Sequence, residues 1–480
     1  MAVGARPRVG VPAPGRGEQW LAIATIFLLA FGLPTAWFQA DNTAISQGDT
    51  SVIVVFAALF GVALTRLVGQ WGHVLRAVRR EPYLVVFALF LVASTVWSTD
   101  PGLTFRRSIA LLLTTFFGYY LVVRFTLRDI IRFSAIALMV GTAVNLVWVV
   151  ALRKYGVTNV TTEISTSGDW SGVFPQKNEL GTTAVFTLMT LLFAARAFPR
   201  YRVTYYVFAA LNVVLVIGAN SKTSLVSMAL LIVLMAVFTG LRGHRTLYGG
   251  VAVGLVGTSL FAAAFVTTNL GPITKSLGRD ATLTGRTQLW TDVLHEIARK
   301  PVLGFGWSGF WTGGNAGPAA YVLQRNLWHP PDAHNALLEL LVNVGLIGAG
   351  LYVFAFLRGI FRSISFVHRT PGVLGLWPLV FFSYVLLRSV TELGIVGRYL
   401  PWALFPVAIA LVGRDRAERR FVGATAVTPP LSSSPDHASI TAPAGESVHV
   451  ASAPGGAPAT NAPTVRKAES ATFTVRRPPT

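Results

Sequence analysis

The chain contains no cysteine among its 480 residues, which excludes disulfide bonds and thiolate metal sites. Charged residues are also scarce, at 12% of the sequence against 53% apolar residues. An average soluble domain carries about 25% charged residues. Together with a mean hydropathy of +0.57, this composition indicates an integral membrane protein.

Acidic residues are the rarer charge: 20 Asp and Glu stand against 40 Lys and Arg, so the net charge is +20. A strongly basic chain raises the possibility of nucleic-acid binding. Here, however, the basic residues are spread between apolar runs and form no single basic domain. That spacing is typical of the orienting charges of a membrane protein with many spans, so we predict no nucleic-acid partner.

Long apolar runs dominate the sequence, and about 12 of them reach the length of about 20 residues that crosses a bilayer. They lie at about residues 20–40, 50–69, 82–98, 107–125, 131–152, 179–197, 202–219, 223–240, 246–267, 334–357, 373–391 and 399–413. We interpret the first run as a transmembrane helix and not as a cleaved signal, because no clear small-residue cleavage site follows it.

The positions of the arginines provide a test of this number of spans. With the N-terminus inside, every inner segment is basic, as the positive-inside rule requires. The inner arginines are Arg76, Arg79, Arg80, Arg124, Arg128, Arg132, Arg196, Arg200, Arg202, Arg242, Arg245, Arg358, Arg362, Arg369, Arg414, Arg416, Arg419 and Arg420. The sequence therefore predicts an all-α membrane protein with about 12 transmembrane helices and both ends in the cytoplasm.

The predicted topology divides the chain into three regions. Residues 1–19 form a disordered cytoplasmic tail, residues 20–413 form the membrane domain, and residues 414–480 form a second cytoplasmic tail. This second tail is rich in Ala, Pro, Ser and Thr, and such a composition cannot bury a core. Two large outer loops are expected, at about 153–178 and about 268–333.

The second outer loop contains two segments with distinct patterns. Residues 286–299 repeat apolar side chains at helical spacing, which predicts an amphipathic helix on the membrane surface. Residues 304–311 are rich in Gly, Phe and Trp, which predicts a flexible aromatic segment at the membrane interface.

A polar segment that becomes an apolar helix begins at Asp332. Asp332 is a suitable N-cap, which would place His334 and Asn335 in the first helical turn. Asn335, Glu339 and Asn343 recur every four residues and so share one helix face. Polar and titratable groups are costly against lipid, so this pattern favours a site at the membrane surface.

Basic residues on the outer side are exceptions to the topology rule and need another reason. Lys177, Lys222 and His334 stand at outer helix N-termini, where the helix dipole favours anions. Arg286 opens the loop helix with a guanidinium suited to phosphate oxygens. If these residues converge, they form an electropositive pocket that fits a lipid-linked diphosphate.

A simpler role is open for each of these residues. Lys222, Arg286 and Arg106 can equally be solvated charges or contacts to lipid headgroups. Glu339 can be a hydrogen-bonding partner in helix packing, and His334 can be structural. The aromatic residues of 304–311 can serve only as interfacial anchors.

Several catalytic motifs are missing from the sequence. We find no Gly-rich phosphate loop, no zinc-binding helix and no Asp-x-Asp metal pair. An enzyme with this sequence is therefore expected to need no metal or other cofactor and to use a substrate that already carries a good leaving group. The outer loops contain few acids, which favours direct displacement over a carboxylate nucleophile.

Four short motifs on the outer side follow one another along the chain. They are Gly172-Val-Phe-Pro-Gln-Lys-Asn-Glu-Leu-Gly181, Ser221-Lys-Thr-Ser224, Gly285-Arg286 with Trp290 and Pro301-Val-Leu-Gly-Phe-Gly306, and His334-Asn335 with Gly345-Leu-Ile-Gly348. In this order they resemble the signature of the O-antigen ligase and polymerase superfamily. The pair Lys177-Asn178 resembles its exopolysaccharide polymerase branch, and the resemblance covers about residues 80–415.

The resemblance implies a membrane glycosyltransferase of GT-C-type architecture, with short helices in its large outer loop. Its donor would be an undecaprenyl-diphosphate-linked glycan at the outer face of a bacterial plasma or inner membrane. The glycan would pass, with inversion and without a metal, to the hydroxyl of a glycan or lipid acceptor. A polymerase is favoured over a ligase. The alternative is a transporter or flippase of the same lipid-linked glycan, which would carry broken helices or ionisable groups near the midplane.

The resemblance also implies roles for individual residues. His334 would be the base that accepts the acceptor proton, and an imidazole suits this task near neutral pH. Arg286 would act on the diphosphate as the second catalytic residue. The remaining residues are expected to bind substrate: Lys177, Asn178, Lys222, Asn335, Glu339, Trp290 and Arg106.

Overall fold

The computed structural model describes residues 13–34, 50–158, 168–241, 247, 250, 286–326, 330–370, 372–391 and 400–410. The α-helices within these ranges are α1 (Arg16–Phe31), α2 (Thr50–Val68), α3 (Trp71–Arg80), α4 (Tyr83–Ala93), α5 (Pro101–Arg124), α6 (Leu127–Val150), α7 (Arg153–Gly156), α8 (Lys177–Ala197), α9 (Arg202–Gly218), α10 (Lys222–Gly240), α11 (Arg286–Arg299), α12 (Ala320–Arg325), α13 (Ala336–Arg369), α14 (Trp377–Thr391) and α15 (Leu400–Ala410). Short 3-10 helices lie at Ser94–Val96, Pro199–Tyr201, Gly314–Ala316 and Val373–Leu376.

Most of the described helices coincide with predicted apolar runs, the exceptions being α3, α7, α11 and α12. The described ranges are helical and contain no strand, which fits a multi-pass membrane protein. Five of these helices are long and apolar enough to span a bilayer, at 127–150, 177–197, 199–218, 222–240 and 336–369. A sixth span results if the bent pair α2 and α3, which meet at 101°, is counted as one. The total of about 12 spans and the GT-C architecture stay predictions.

Several sequence predictions lie outside the described residues. They concern the tail up to residue 12, most of the run at 246–267, the loop segments 159–167 and 268–285, and the tail after residue 410.

Helix starts follow the capping residues in the sequence. The Asp100 side chain accepts the Leu103 N–H at 2.9 Å and starts α5. Thr126 and Asp129 form a reciprocal capping box at the start of α6. Each such cap satisfies donors that the helix itself leaves open, and is worth about 1 kcal/mol.

Aromatic side chains form much of the core between the helices. The ring of Trp402 lies 5.8 Å from that of Phe87 and 5.7 Å from that of Phe405, and its Nε1 donates to Thr115 Oγ1 at 2.8 Å. The ring of Tyr352 packs at a tilt against that of Phe87, with 5.7 Å between the ring centroids. These contacts join α4, α5, α13 and α15.

Arginines predicted to lie in inner loops gather at one end of the helices, here called the basic end. The pairs are Arg124 with Glu18, Arg128 with the Ala197 carbonyl, and Arg358 and Arg362 with Glu81. Each long helix starts or ends at the basic end. The other end of each of these helices therefore lies on the opposite side of the protein. This opposite side, the polar end, contains residues 97–104, 168–181, 218–224, 301–311 and 330–346.

Helix α13 is broken at Gly345, where φ is 63°. The loop that precedes the helix fills the break: Leu346 N–H donates to the Pro301 carbonyl at 2.8 Å, and Phe305 N–H donates to the Val342 carbonyl at 3.0 Å. Backbone groups freed inside a membrane protein need such partners. The outer loop and the broken helix are therefore one hydrogen-bonded unit.

Replacing Gly345 with alanine is expected to destabilise the protein strongly. A Cβ there would lie 2.2 Å from the Val302 carbonyl oxygen, and the left-handed φ adds strain. We expect a loss of about 2–4 kcal/mol, from overpacking and backbone strain together. The measurement is the midpoint of heat-induced loss of the monodisperse peak in size-exclusion chromatography.

Gly350→Ala is the matched control, because Gly350 lies on the same helix and a Cβ there meets nothing within 4 Å. An equal midpoint for both variants would show that the break does not depend on glycine.

The aromatic segment 304–311 was predicted to be a flexible membrane-interface element, and this prediction is wrong. Phe305, Trp307 and Phe310 are buried. Trp307 N–H donates to Ser94 Oγ at 3.0 Å, and the Trp307 carbonyl accepts from Thr104 Oγ1 at 2.7 Å. The hydroxyls of Ser94 and Thr104 thus form hydrogen bonds with the backbone of the loop. Because these backbone groups have partners, the aromatic rings can lie in the protein interior.

Helix α11 occupies the residues predicted, and most of its apolar face is buried against protein, while Leu294 is exposed. Leu289, Trp290 and Val293 are buried in a small core. The other members of this core are Phe305, Phe310, Ala319, Val322, Ala333, Leu338 and Val342. The sequence pattern predicts the amphipathic helix correctly. It does not predict what the apolar side of the helix contacts, because periodicity does not distinguish lipid from protein.

Candidate functional site

His334 lies at the polar end, immediately before α13. Asn335 is the N-cap of this helix, and its Oδ1 accepts the N–H groups of Leu337 at 3.0 Å and Leu338 at 3.1 Å. The prediction that Asp332 caps the helix, with His334 in its first turn, is therefore wrong. Asn and Asp cap about equally well, so local preference could not decide between them.

Asp332 instead contacts His334. Its Oδ1 accepts the His334 backbone N–H at 2.8 Å and lies 3.4 Å from the ring Nδ1. His334 is only 5% exposed and has a φ of 47°. This left-handed conformation costs a non-glycine residue about 1–2 kcal/mol, so it persists only where neighbours fix it.

Glu339 is the centre of the hydrogen bonds below this loop. Its Oε2 accepts the Ala333 N–H at 2.9 Å, and Trp311 Nε1 lies 3.1 and 3.0 Å from its two oxygens. Asn343 Nδ2 donates to Oε1 at 2.7 Å. Glu339 and Asn343 share a face as predicted, and that face contacts the loop.

Helix α11 lies beside the same loop. Trp290 Nε1 donates to the Ala333 carbonyl at 2.9 Å, and its ring is buried. Arg286 is partly exposed at the start of α11, one turn before Trp290. Residues four apart share a helix face, so Arg286 stands on the face of α11 that carries Trp290.

A buried carboxylate fixes α11 to α12. Asp292 accepts hydrogen bonds from Gln288 Nε2 at 2.9 Å, Arg325 Nε at 2.9 Å and Asn326 Nδ2 at 3.2 Å. A buried charge is tolerated when it is paired and hydrogen-bonded in this way. Helix α11, which begins with Arg286, is thus fixed to α12 by these hydrogen bonds.

Lys177 belongs to a second group of polar residues. Its Nζ donates to Asp169 Oδ2 at 2.7 Å, and the side chains are 12% and 5% exposed. Asn220 Nδ2 donates to the other oxygen of Asp169 at 3.0 Å. The positive charge predicted to bind phosphate is therefore balanced by a carboxylate.

Asn178 joins two of the sequence motifs. Its Oδ1 accepts from Ser221 Oγ at 2.7 Å, which brings the start of α8 to the start of α10. Lys222, the first residue of α10, is exposed. Arg106 is exposed in the second turn of α5, close in sequence to Thr104, which contacts the aromatic loop.

The hydrogen bonds at the polar end thus connect the predicted residues as two sets. One consists of Trp290, His334, Asn335 and Glu339, with Arg286 on the adjoining helix turn. The other consists of Lys177, Asn178 and the start of α10 with Lys222. The predictions for these residues as site residues stay predictions.

Sequence reasoning missed Asp169 and the role of Asp332. A usable signal existed, because acids are rare in this chain and each of these lies next to a singled-out motif. Within the described ranges, no group of three or more His, Asp or Glu side chains is arranged to hold a metal ion.

Removing the carboxylate of Asp169 is expected to destabilise the protein. Asp169→Asn leaves the largely buried Lys177 ammonium without its counter-charge, which costs about 3–5 kcal/mol in buried pairs. The double variant Asp169→Asn/Lys177→Met should recover most of the thermal stability. Retained stability with lost activity in the double variant would assign Lys177 to the substrate, and retained activity would assign it to structure alone.

Comparison with known proteins connects this geometry to a family. Residues 206–353 match the family described as O-Antigen ligase. The matched region contains Lys222, Arg286, Trp290, His334, Asn335 and Glu339.

A curated relative extends the likeness beyond this domain. The chain is 24% identical over 382 residues to the exopolysaccharide production protein ExoQ of Rhizobium meliloti (strain 1021). The alignment covers 73% of this chain and 78% of ExoQ. The two comparisons confirm the resemblance to the O-antigen ligase and polymerase superfamily seen in the motifs.

Proposed function

We propose that the chain is a membrane glycosyltransferase that polymerises or transfers a lipid-diphosphate-linked oligosaccharide at the outer face of the bacterial plasma or inner membrane. The observation that carries the proposal is His334, held against Asp332 at the polar end within the segment that matches the O-Antigen ligase family. Arg286 on the adjoining helix supplies a cation for the diphosphate. The name of ExoQ favours an exopolysaccharide polymer as product.

Asp332 suits His334 to the role of base. The negative charge of the carboxylate, 3.4 Å from Nδ1, favours a proton on that nitrogen by electrostatic attraction. Nε2 then keeps a lone pair that can accept the proton of an acceptor hydroxyl. This is the division of roles used by other His–carboxylate pairs in catalysis.

The proposed reaction is a single displacement at the anomeric carbon. The acceptor oxygen forms a bond to that carbon while the bond from carbon to the diphosphate oxygen breaks. The hydroxyl proton goes to His334 Nε2, and the bonding electrons leave with the lipid diphosphate. Attack opposite the leaving group inverts the configuration, and positive side chains stabilise the diphosphate where other enzymes use a metal.

A transporter is the competing function, because its expected feature, a broken helix, is present in α13. The break at Gly345 is filled by the loop residues Pro301, Val302 and Phe305. Its backbone groups are therefore engaged by protein. This favours a structural role for the break over an ion or substrate site.

The experiment uses the purified full chain in nanodiscs with an undecaprenyl-diphosphate-linked repeat oligosaccharide. A polymerase yields lipid-linked glycans that grow by whole repeat units, with the same yield in EDTA. Transfer to a different lipid acceptor alone would identify a ligase. Absence of any new glycosidic bond, together with movement of the donor across proteoliposome membranes, would overturn the proposal in favour of a transporter.

A further inference from the structure

Both polar groups of Ala333, the residue before His334, are held by side chains from other helices. Glu339 Oε2 accepts the Ala333 N–H at 2.9 Å, and Trp290 Nε1 donates to the Ala333 carbonyl at 2.9 Å. Glu339 lies on α13 and Trp290 on α11. Two separate helices therefore fix the backbone of Ala333, the residue immediately before His334.

The Glu339 carboxylate is engaged by three donors. Oε1 contacts Trp311 Nε1 and Asn343 Nδ2, while Oε2 contacts Trp311 Nε1 and the Ala333 N–H. The single Trp311 N–H is shared between the two oxygens, so each oxygen already accepts from protein. A sugar hydroxyl bound to this group would compete with these three donors.

We propose that Glu339 and Trp290 are positioning residues that act on the reaction through His334. This inference rests on the proposed function and replaces the expectation that both residues bind substrate. They hold the Ala333 backbone and thereby keep His334 in its left-handed conformation. The direction of the imidazole follows from that backbone.

The size of the effect follows from geometry. Without the hydrogen bonds from Glu339 and Trp290 to Ala333, the loop can relax from the strained φ of His334, and the imidazole moves with it. A misplacement of about 1 Å in a catalytic group can cost about 10²-fold in rate. We therefore expect turnover to fall while donor binding, which His334 does not carry, stays the same.

The test measures turnover and donor affinity separately on the purified full chain. We expect Glu339→Ala to lower turnover about 10²-fold and Glu339→Gln to lower it less, because the amide oxygen can keep one or two of the contacts. Trp290→Phe removes the N–H and keeps a ring, and should also lower turnover. The donor dissociation constant should stay within about twofold in all three, since none removes a donor contact.

Trp97→Phe is the matched control. Its Nε1 also donates to a loop carbonyl at the polar end, that of Leu303 at 3.0 Å, and not to the His334 loop. Its turnover should stay near that of the unchanged chain. A loss as large as that of Trp290→Phe would show a general effect of loop packing and overturn the inference.

A double-variant cycle with His334→Ala separates the inference from the function on which it rests. If Glu339 acts only through His334, Glu339→Ala should cost almost nothing further in a chain that already lacks the imidazole. Additive losses would overturn the positioning role. If His334→Ala is slow and Glu339→Ala is fully active, the positioning role is overturned and the proposed function stands. If His334→Ala is fully active, both the positioning role and the proposed function are overturned.

Should Glu339→Ala fail to give a monodisperse protein, Glu339→Gln and Trp290→Phe enter the same cycle with His334→Ala. Unchanged turnover in both of these folded variants would also overturn the inference.

Discussion

His334→Ala is expected to lower turnover by about 10²–10⁴-fold, the usual contribution of a positioned general base. The imidazole lies against Asp332 and is held before α13, so its loss removes the proposed acceptor for the hydroxyl proton. Donor affinity should be nearly unchanged, because the residues proposed to bind the diphosphate are positive side chains elsewhere. Turnover is measured with saturating donor and acceptor, and donor affinity by titration without acceptor.

His334→Gln provides the sharper variant of this experiment. Glutamine keeps a hydrogen-bonding group of similar reach but cannot take up the proton, so turnover should stay low. Near-normal turnover in either variant would show that His334 is not the base. Glu339 would not be an automatic replacement, since its carboxylate already accepts from three donors, Trp311, Ala333 and Asn343.

Helix positions were readable from the sequence because a bilayer demands long apolar runs. The run predicted at about 179–197 is α8, which starts at Lys177. The break in α13 was not readable, because Gly345 sits in an uninterrupted apolar run. Its cause is the carbonyl of Pro301, a loop residue more than forty positions earlier, and hydropathy carries no information about such a partner.

The candidate site was predictable in its residue types and less so in their contacts. His334 and Arg286 were singled out from motif and outer position, and the structure places their segments side by side through Trp290. Lys177 was expected to bind phosphate, and its partner Asp169 lies in a loop where no periodicity points to a contact. Charge pairing between a loop and a helix is decided by tertiary structure, which sequence spacing does not encode.

Arg286 is expected to act on the leaving group, and Arg286→Gln should therefore reduce both donor affinity and turnover. Loss of one electrostatic contact to developing charge costs about 10²–10³-fold in rate. The structure supports this role because Arg286 stands on the face of α11 that carries Trp290 toward the His334 loop. Donor binding and single-turnover rate are measured on the same preparations.

Arg299→Gln is the matched control, since Arg299 lies at the other end of α11 and is exposed where it contacts Glu296. Glu296 itself is buried, and the glutamine amide can still donate a hydrogen bond to it, so the helix should keep its place and turnover should change little.

Arg286→Lys completes the series, because it keeps the charge and loses the two-pronged geometry of the guanidinium. It should recover part of the loss in both measurements. Unchanged donor affinity and turnover in Arg286→Gln would remove Arg286 from the site and leave Lys222 and Arg106 as exposed cations to test next. Loss in Arg286→Gln with unchanged donor affinity would instead assign the guanidinium to the transition state alone, since a contact made only there lowers turnover and leaves ground-state binding intact.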